Sequence, residues 1–506
     1  MKVSQSCLVL TLSLALLAPA VSAEEVDLQP IREQLESNSV ADRIRGIRDM
    51  MRHELAPDVA RPMIEELLSD GESTVRVELV WAVHELLGAD GADLLDKLYQ
   101  DPDRLVRDAA IRSACRMFDE SGTKQLCKAA SGDPDFAARV EVISTLREYY
   151  PEAPGAAAIF RDGLDDPSEM VQRASVFGSQ AARDPKAVPK LVDIAMNATE
   201  LAAVPAADEA LATIGTEEAV DALVDMLEPH QTEDGEVKPS DPVRAAAARA
   251  LARIKNPKSI EPLRKALDDP YVPLRIGAMS ALTALEDTES APLIAKQLSH
   301  EVPRVRRYAL RSLRQIGNPE VSDQVAKTMR EDEEPVVRAT AVPTLADLIG
   351  EEAIPILEKQ ASDPEPQVRL EIAGSLAGLG KPAGPVLARF VEDSDPGVRT
   401  LAIEGLGQVG GEEEIALLEK VLHGQDENDT QIRGAIAQAL GAIGHEAGLD
   451  LLTELAGDAE PYVRQRAAVA LGEIGSGEAK NTLQGLLKDE VPRVRHAARL
   501  AIQDLD

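Results

Sequence analysis

The chain has 506 residues, of which 44% are hydrophobic and only 2% are aromatic, and its formal net charge at pH 7 is −34. That length exceeds one ordinary compact domain, and an apolar content carried by Ala, Leu and Val suits closely packed helices rather than a β-sandwich or barrel. So acidic a surface repels nucleic acid and anionic membranes, and it suits a basic protein partner, a cation-rich partner or high salt.

The first 23 residues have the three parts of a secretory signal peptide. Lys2 supplies a positive charge, an apolar run from Leu8 to Leu17 follows, and Pro19 precedes small residues that end at Ala23. The pattern predicts cleavage after Ala23 and export, with a bacterial periplasm as the expected compartment. The alternative is an N-terminal membrane anchor, for which the apolar run is short. No later stretch is apolar enough to cross a bilayer, so we expect no membrane span in the mature chain.

A Val-Arg pair recurs along the mature chain, mostly 30 to 34 residues apart. Full copies lie at Arg76, Arg107, Arg244, Arg306, Arg338, Arg369, Arg399, Arg464 and Arg495. Looser copies are phased on Arg45, Arg139, Arg173, Val204, Arg275 and Arg433. Together the fifteen copies predict that residues 24–506 form an all-α solenoid, an α-α superhelix of about fifteen two-helix repeats.

Each copy has the pattern of two antiparallel helices joined by a short turn. After Arg464, the apolar residues Ala467, Ala470 and Leu471 line one face of a helix, and Gly475 ends that helix. An Asp lies six residues before most of the arginines, and a Pro often lies three residues before them, where the first helical position tolerates it. A second, shorter apolar stretch precedes the next arginine.

The pattern D-x-x-P-x-V-R-x-x-A-x-x-A-L-x-x-I-G resembles HEAT repeats, and most closely the phycobilisome-lyase-like HEAT subgroup, over residues 28 to 506. The resemblance implies that the turn Asp and the helix Arg form stacked columns, with each Arg bonded to the Asp of a neighbouring repeat. It therefore implies a structural role for the nine arginines of the full copies, and the alternative is an anion-binding basic stripe. The bilin attachment of the lyase subgroup is cytoplasmic chemistry, which the signal sequence opposes.

The repeat is interrupted most strongly by about nine extra residues within Glu228–Pro242, a polar segment that contains Pro and Gly. Insertions in repeat proteins fall on loops of one face. The segment is therefore either a tolerated surface insertion, a hinge between two halves of the solenoid, or a finger that contacts a partner. In the last case His230 and Asp234 are candidate contact residues.

Eight of the twelve aromatic residues lie between residues 81 and 177. Aromatic side chains are favoured anchors at protein interfaces, so Trp81, Tyr149 and Tyr150 are candidate partner-binding residues. The alternative is that they fill a less regular core. Cys115 and Cys127 lie in the same region, and the sequence leaves open whether they pair.

Four His-Glu dipeptides are the one group of residues in the sequence whose side chains are suited to bind a metal ion. They are His53-Glu54, His84-Glu85, His300-Glu301 and His445-Glu446. They resemble the pairs that hold a di-iron centre in deoxyhypusine hydroxylases, which are HEAT proteins, but in that family the pairs directly follow the repeat arginine. Here only His53 and His84 share a phase, so His53, Glu54, His84 and Glu85 are candidate iron ligands. We otherwise expect no cofactor.

No sequence pattern of a known catalytic site is convincing. P-loop, G-x-S-x-G, H-E-x-x-H and paired C-x-x-C motifs do not occur, and the glycines at 405, 407 and 410 match G-x-G-x-x-G without a preceding strand. We therefore predict an exported, monomeric scaffold or adaptor that binds another protein through its solenoid surface. The alternatives are a metal-dependent, hydroxylase-like enzyme and a structural envelope protein with no defined partner.

Overall fold

The computed structural model describes residues 26–116, 133–149, 151–152, 155–197, 203–231, 237–424 and 429–505. Contacts within the chain divide it into a first unit that ends at Leu223 and a second unit that begins at Val224. Both units are built from antiparallel helix pairs, so the prediction of an all-α solenoid is confirmed.

The first unit consists of short helices that alternate in direction. Its helices are α1 (Gln29–Leu35), α2 (Val40–Arg52), α3 (Pro57–Leu67), α4 (Ser73–Ala82), α5 (Ala92–Leu98), α6 (Arg104–Arg116), α7 (Phe136–Tyr149), α8 (Ala156–Gly163), α9 (Glu169–Ala182), α10 (Val188–Asn197), α11 (Ala203–Ile214) and α12 (Glu217–Asp225), the last of which contains the division between the units. A π-helical turn, Val83–Leu87, continues α4.

The second unit begins with a small hairpin in the inserted segment. Strands β1 (His230–Gln231) and β2 (Val237–Lys238) pair antiparallel, with His230 opposite Lys238. The helices that follow are α13 (Asp241–Ile254), α14 (Ile260–Ala266), α15 (Val272–Ala284), α16 (Ala291–Lys296), α17 (Pro303–Ile316), α18 (Ser322–Glu331), α19 (Pro335–Ile349), α20 (Ile354–Lys359), α21 (Pro366–Gly378), α22 (Gly384–Phe390), α23 (Pro396–Val409), α24 (Glu412–Leu422), α25 (Thr430–Ile443), α26 (Leu449–Leu455), α27 (Pro461–Ile474), α28 (Ala479–Leu486) and α29 (Pro492–Leu505).

Short 3₁₀ helices precede or follow many of the shorter helices. They are Gly88–Gly91, Pro185–Ala187, Pro257–Ser259, Thr288–Ser290, Gln297–Ser299, Pro319–Val321, Gly350–Ala353, Lys381–Ala383 and Glu446–Gly448. All of them except Gln297–Ser299, which follows the return helix α16, lead the chain from a long helix of a repeat into the shorter helix that returns.

Two classes of helix make up each repeat. We call the helices that carry the Val-Arg position the arginine-bearing helices, including α11, which has that position but no arginine; they are α2, α4, α6, α7, α9, α11, α13, α15, α17, α19, α21, α23, α25, α27 and α29. The helices between them are the return helices. The described residues thus contain fifteen arginine-bearing helices, which confirms the predicted number of repeats.

Local sequence fixes where the arginine-bearing helices begin and end. At the start of α23, Pro396 takes the first helical position, and the Asp395 carboxylate accepts hydrogen bonds from the backbone N–H groups of Gly397 and Val398. At the end of α27, Gly475 adopts a left-handed conformation with a φ of 70°, which a residue without a Cβ adopts at little cost.

Glycine and alanine allow the arginine-bearing helices of the second unit to pack backbone against backbone. A Cβ built on Gly407 of α23 would lie 2.7 Å from the Cα of Ala439 on α25, and one built on Gly472 of α27 would lie 2.7 Å from the Cβ of Ala501 on α29. Return helices contact one another far less. A stack with one closely spaced layer curves toward that layer, so within this unit the exposed face of the arginine-bearing helices is concave.

Candidate binding surface

An arginine–aspartate ladder joins successive repeats. Arg338 on α19 donates hydrogen bonds from Nε to Oδ2 of Asp363 at 2.8 Å and from Nη2 to Oδ1 at 3.0 Å. Its Nη1 donates to the carbonyl oxygen of Asp332, the aspartate of its own turn, at 2.8 Å. Asp363 also accepts the backbone N–H of Glu365, so it closes its own turn while it receives the arginine of the preceding repeat.

The same pairing recurs ten times in the described residues. The pairs are Arg43–Asp70, Arg76–Asp101, Arg107–Asp133, Arg139–Asp166, Arg244–Asp269, Arg306–Asp332, Arg338–Asp363, Arg369–Asp393, Arg433–Asp458 and Arg464–Asp489. No ladder side chain is more than 14% exposed. An external anion would have to displace a buried carboxylate to reach these arginines, so they hold the stack together.

The ladder is incomplete at two of the full Val-Arg copies. The Arg399 guanidinium lies 4.0 Å from the Asp429 carboxylate, a looser approach than in the ten pairs. Arg495 donates to the carbonyl oxygens of Asp489 and Glu490 in its own turn, and no aspartate among the described residues pairs with it.

Electrostatics along the ladder favours the charged carboxylates. The hydrogen bond from Arg464 lowers the pKa of Asp489 below its ordinary value, and burial opposes this effect only in part. The pKa of Asp166 is lowered in the same way by the hydrogen bond from Arg139. Each such shift means that the folded state stabilises the ionised carboxylate relative to the unfolded chain.

The phase assigned to the first copy is wrong by two residues. Arg43, rather than Arg45, pairs with Asp70, and its Nη1 donates to the carbonyl oxygen of Ser37, six residues earlier. Arg45 forms an exposed pair with Asp42 instead. Ile44-Arg45 matches the Val-Arg sequence pattern. The hydrogen bonds to the turn are instead formed by Arg43, because Arg43 lies on the helical face that is directed toward the turn.

The copy on α9 is shifted by one residue. Gln172 occupies the ladder position and donates to the carbonyl oxygen of Asp166, six residues earlier, at 2.7 Å. Arg173 is therefore directed to the exposed side of the helix, where its guanidinium lies 5.9 Å from the centre of the Phe177 ring.

The revised phase separates the two histidines of the iron hypothesis. His53 follows its ladder arginine by ten residues and His84 by eight, so they do not occupy equivalent positions. His53 is exposed after the end of α2, whereas His84 is half-buried in the Val83–Leu87 turn, and Glu54 and Glu85 are exposed. In the described part of the chain, no group of three or more His, Cys, Asp or Glu side chains is placed to hold a metal ion. The iron site stays a prediction.

The predicted partner-binding residues that the structure describes lie on separate elements. Tyr149 is 61% exposed at the end of α7, whereas Trp81 is half-buried in α4, and His230 lies on β1. Outside the described residues lie Tyr150, Asp234, Cys127 and residues 1–25. The signal peptide therefore stays a prediction, and the question of whether Cys115 pairs with Cys127 falls outside the described residues.

Large apolar side chains are exposed along one edge of the first unit. Leu105, Phe136 and Met170 are 59%, 45% and 60% exposed, and they lie at the start of α6, α7 and α9. Each precedes the ladder residue by two or three positions. At the same position the second unit has Gln367 and Gly397, and also the half-buried Val336 and Tyr462. The exposed apolar edge was not predicted from the sequence, although aligning the repeats on the turn would have shown these positions.

An aromatic ring lies between two arginines on the exposed face of α17. The guanidinium carbons of Arg304 and Arg311 lie 5.6 and 5.9 Å from the centre of the Tyr308 ring. The spacing of four and three residues places all three side chains on one helical face. Tyr308 also lines a cleft of about 650 Å³ that includes Lys255 and Ser280.

The first unit has a comparable arrangement. Arg147 and Arg173 lie 5.8 and 5.9 Å from the centre of the Phe177 ring. Phe177 and Arg147 line a cleft of about 500 Å³, together with Gln180 and Arg183. Both clusters were missed by the sequence analysis, because neither arginines nor single aromatics depart from an ordinary helix surface until their neighbours are known.

Comparison with known proteins identifies the repeat. The family model described as HEAT repeats matches residues 91–176, 236–302, 291–364, 354–431 and 422–503, which together exceed half of the chain. Curated proteins give no match. None of the helices in the described ranges is long and apolar enough to cross a membrane.

Solved structures of similar fold include those of Kap121p. A Kap121p mutant is 12% identical with a TM-score of 0.53, and the alignment covers 94% of this chain and 69% of Kap121p. Kap121p bound to Pho4p is 13% identical with a TM-score of 0.54, and there the chain spans 64% of its length. Identity this low shows a shared solenoid fold alone.

Proposed function

We propose that this chain, which belongs to the HEAT-repeat family, is an exported scaffold that binds another protein through the exposed face of its arginine-bearing helices. The observation that carries the proposal is the aromatic ring held between arginines on that face in each unit, at Phe177 and at Tyr308. Tyrosine, phenylalanine and arginine are enriched at protein interfaces, and tyrosine and arginine among the residues that dominate binding energy.

Burial of the ladder indicates that two groups of arginines have different roles, one in holding the repeats together and one in contacting a partner. The ladder arginines are paired with buried aspartates, whereas Arg304 and Arg311 lie against the Tyr308 ring and form no salt bridge with a described residue. A rigid stack presents such side chains with little loss of conformational entropy on binding, which favours affinity. Exposed Leu105, Phe136 and Met170 add apolar area in the first unit.

The solved structures of similar fold are consistent with this proposal. Kap121p has been solved in complex with Pho4p, with Nup53p and with Ste12p, so a solenoid of this kind takes protein partners. Because the sequence identity is low, no binding residue is transferred from Kap121p to this chain. The proposed binding surface rests on the residues of this chain alone.

Export and the finer family resemblance are part of the proposal and rest on sequence alone. The signal-like residues 1–23 support secretion to a bacterial periplasm, and mass spectrometry of the secreted protein should find an N-terminus at Glu24. The repeat consensus supports the phycobilisome-lyase-like subgroup. An N-terminus still at Met1 in fractionated cells would contradict export.

Site-specific photocrosslinking tests the proposed surface. A photoreactive phenylalanine analogue at position 177 or 308, in the protein expressed with its signal, should give a discrete adduct with another protein. The same analogue at Gln484, which is exposed on the return helix α28, serves as the matched control. Folded variants that give no adduct at either position, or the same adducts at all three, would show that this face does not bind a protein.

A further inference from the structure

We infer that the exposed face formed by α13, α15 and α17 binds an extended acidic segment of a protein partner. The inference rests on the proposed protein-binding function and specifies the chemistry that this part of the surface takes. Net charge alone favoured a basic partner, but the local charge of this face has the opposite sign.

Five cations without ion pairs define what we call the basic strip. They are Arg249, Lys255, Arg304, Arg307 and Arg311. No described residue forms a salt bridge with any of them, and four are exposed while Arg307 is half-buried. The Nε of Arg307 is shielded from solvent and has no hydrogen-bond partner among the described residues. These side chains therefore retain donors for a ligand.

The absence of carboxylates here contrasts with the rest of the molecule. The chain has 88 acidic residues against 54 lysines and arginines, and many other exposed arginines pair with a carboxylate, as Arg48 does with Glu78 at 2.6 Å. Exposed arginines without a salt bridge to a described residue, such as Arg32 and Arg330, also occur outside the strip. Beyond Asp241 at the start of α13, the helices α13, α15 and α17 contain no Asp or Glu. Glu286 at the rim of the cleft and Asp347, which pairs with Arg314, border the strip.

The register of the repeats aligns the strip across three helices. Arg249, Ser280 and Arg311 each follow the Val-Arg-position arginine of their repeat (Arg244, Arg275 and Arg306) by five residues, and all three are exposed. Neighbouring packed helices lie about 8–10 Å apart, so Arg249 and Arg311 lie roughly 16–20 Å apart. That distance matches about six residues of extended chain at ~3.3 Å per residue.

Carboxylates suit these groups better than other anions do. A guanidinium group donates two parallel hydrogen bonds to one carboxylate, and the strip offers four guanidinium groups in succession. The Tyr308 ring and the Ser280 hydroxyl supply apolar and hydrogen-bonding contact between them. A long nucleic acid would extend past the strip onto surface of a protein with a net charge of −34, which repels it.

Fluorescence anisotropy with synthetic probes tests the inference on the purified mature chain. The probes are a labelled Glu-rich peptide of about twelve residues, a Lys-rich peptide of the same length, and a single-stranded DNA of matched charge. We expect the Glu-rich peptide to bind most tightly and to lose about tenfold in affinity in the double variant Arg304→Gln/Arg311→Gln. The variant Arg249→Gln/Lys255→Gln should weaken binding in the same direction.

A control with the same change in net charge removes two exposed cations elsewhere. Arg330→Gln/Arg389→Gln alters α18 and α22, and we expect an affinity close to that of wild type, because exposed charges more than about 10 Å apart are largely screened at 0.1 M salt. Equal losses in the control and strip variants would overturn the inference, as would preferred binding of the Lys-rich peptide or of DNA. A dimer of the chain that Arg304→Gln/Arg311→Gln dissolves would make a second copy the occupant and also overturn it.

The two proposals fail separately. A protein adduct at position 308 together with no binding of the Glu-rich peptide would leave the protein-binding function standing and reject the acidic segment. Peptide binding that the strip variants abolish, without a protein adduct at either crosslinking position, would support the chemistry of the strip and reject the proposed cellular function. Circular dichroism of each variant confirms that it is folded.

Discussion

Arg338 and Asp363 form a pair that joins two repeats while it is almost withdrawn from solvent, with side-chain exposures of 10% and 1%. The third guanidinium nitrogen of Arg338 holds the carbonyl oxygen of Asp332 in its own turn. One side chain therefore fixes the turn before its helix and the turn of the next repeat.

We expect Arg338→Ala to destabilise the second unit strongly. The substitution leaves the buried Asp363 carboxylate without its guanidinium partner, and breaking a buried pair in this way costs about 3–5 kcal/mol. The measurement is urea-induced unfolding followed by circular dichroism. Since repeat proteins can unfold in parts, the midpoint of the second unit is the quantity to compare.

The matched control is Arg389→Ala. Arg389 also bridges neighbouring repeats, through Glu358 at 2.7 Å, but its side chain is 59% exposed and that of Glu358 is 45% exposed. An exposed pair contributes about 0–1 kcal/mol, so this variant should unfold near the wild-type midpoint. Similar shifts for Arg338→Ala and Arg389→Ala would show that burial of the ladder does not determine its contribution.

The ladder should also give a pH-dependent contribution to stability. Because Arg464 lowers the pKa of Asp489 below its ordinary value of 3.8, this pair stabilises the fold above the unfolded pKa. The contribution is lost as the pH falls through the lower pKa of the folded state. We therefore expect the stability difference between wild type and Asp489→Asn to be constant from neutral pH to about pH 5 and to shrink below about pH 4.

Comparing two variants removes the effect of total charge from this measurement. Asp450→Asn on α26 removes an exposed carboxylate and changes the net charge by the same amount. Its difference from wild type should be small throughout the pH series, measured by urea unfolding at each pH. A difference for Asp489→Asn that grows on acidification would contradict the direction of the shift.

Much of the fold was predictable because the repeat marks its own positions. The Val-Arg pair, the turn Asp and the terminal Gly recur together, so helix pairs and their number follow from spacing. The predicted position of the ladder residue within the helix was wrong where the Val-Arg sequence pattern and the helical face directed toward the turn disagreed. Ile44-Arg45 imitates the pair although Arg43 faces the turn, and Gln172 performs the hydrogen bond of an arginine.

The candidate binding surface was harder to predict, because its arginines are distinguished by the lack of a carboxylate that pairs with them among the described residues. Arg304 and Arg311 look like solvated helix residues in the sequence. They become distinctive only once the fold shows that Tyr308 lies between them and that Lys255 is nearby. The net charge is a property of the whole chain, so it does not reveal that the basic strip is locally positive.

We expect Gly407→Ala and Gly374→Ala to change stability in opposite directions. A Cβ at Gly407 would lie 2.7 Å from the Cα of Ala439, so two helix backbones must move apart, which costs about 1–3 kcal/mol. A Cβ at Gly374 meets nothing closer than Leu401 Cδ2 at 3.4 Å, and in a helix interior Ala is favoured over Gly by about 0.5–1 kcal/mol. Thermal and urea unfolding of both variants check the sign. Destabilisation by both would mean that close packing extends beyond the Gly407 contact.

The inserted hairpin should be dispensable for folding. His230 faces Lys238 across the two strands, so replacing residues 231–237 by Asn-Gly should close the same pair with a two-residue turn. The start of α13 is held independently, because Arg244 donates from Nε to the carbonyl oxygen of Leu227 at 3.0 Å and from Nη1 to the Asp241 carboxylate at 2.8 Å. We expect the free energy of unfolding of the shortened chain to match that of wild type to within about 0.5 kcal/mol, since surface loops tolerate such changes. Loss of the second unit's cooperative unfolding would instead assign the hairpin a structural role. If the stability is unchanged, the same variant can be used in crosslinking from position 308. Loss of the adduct there would show that the hairpin contacts the partner.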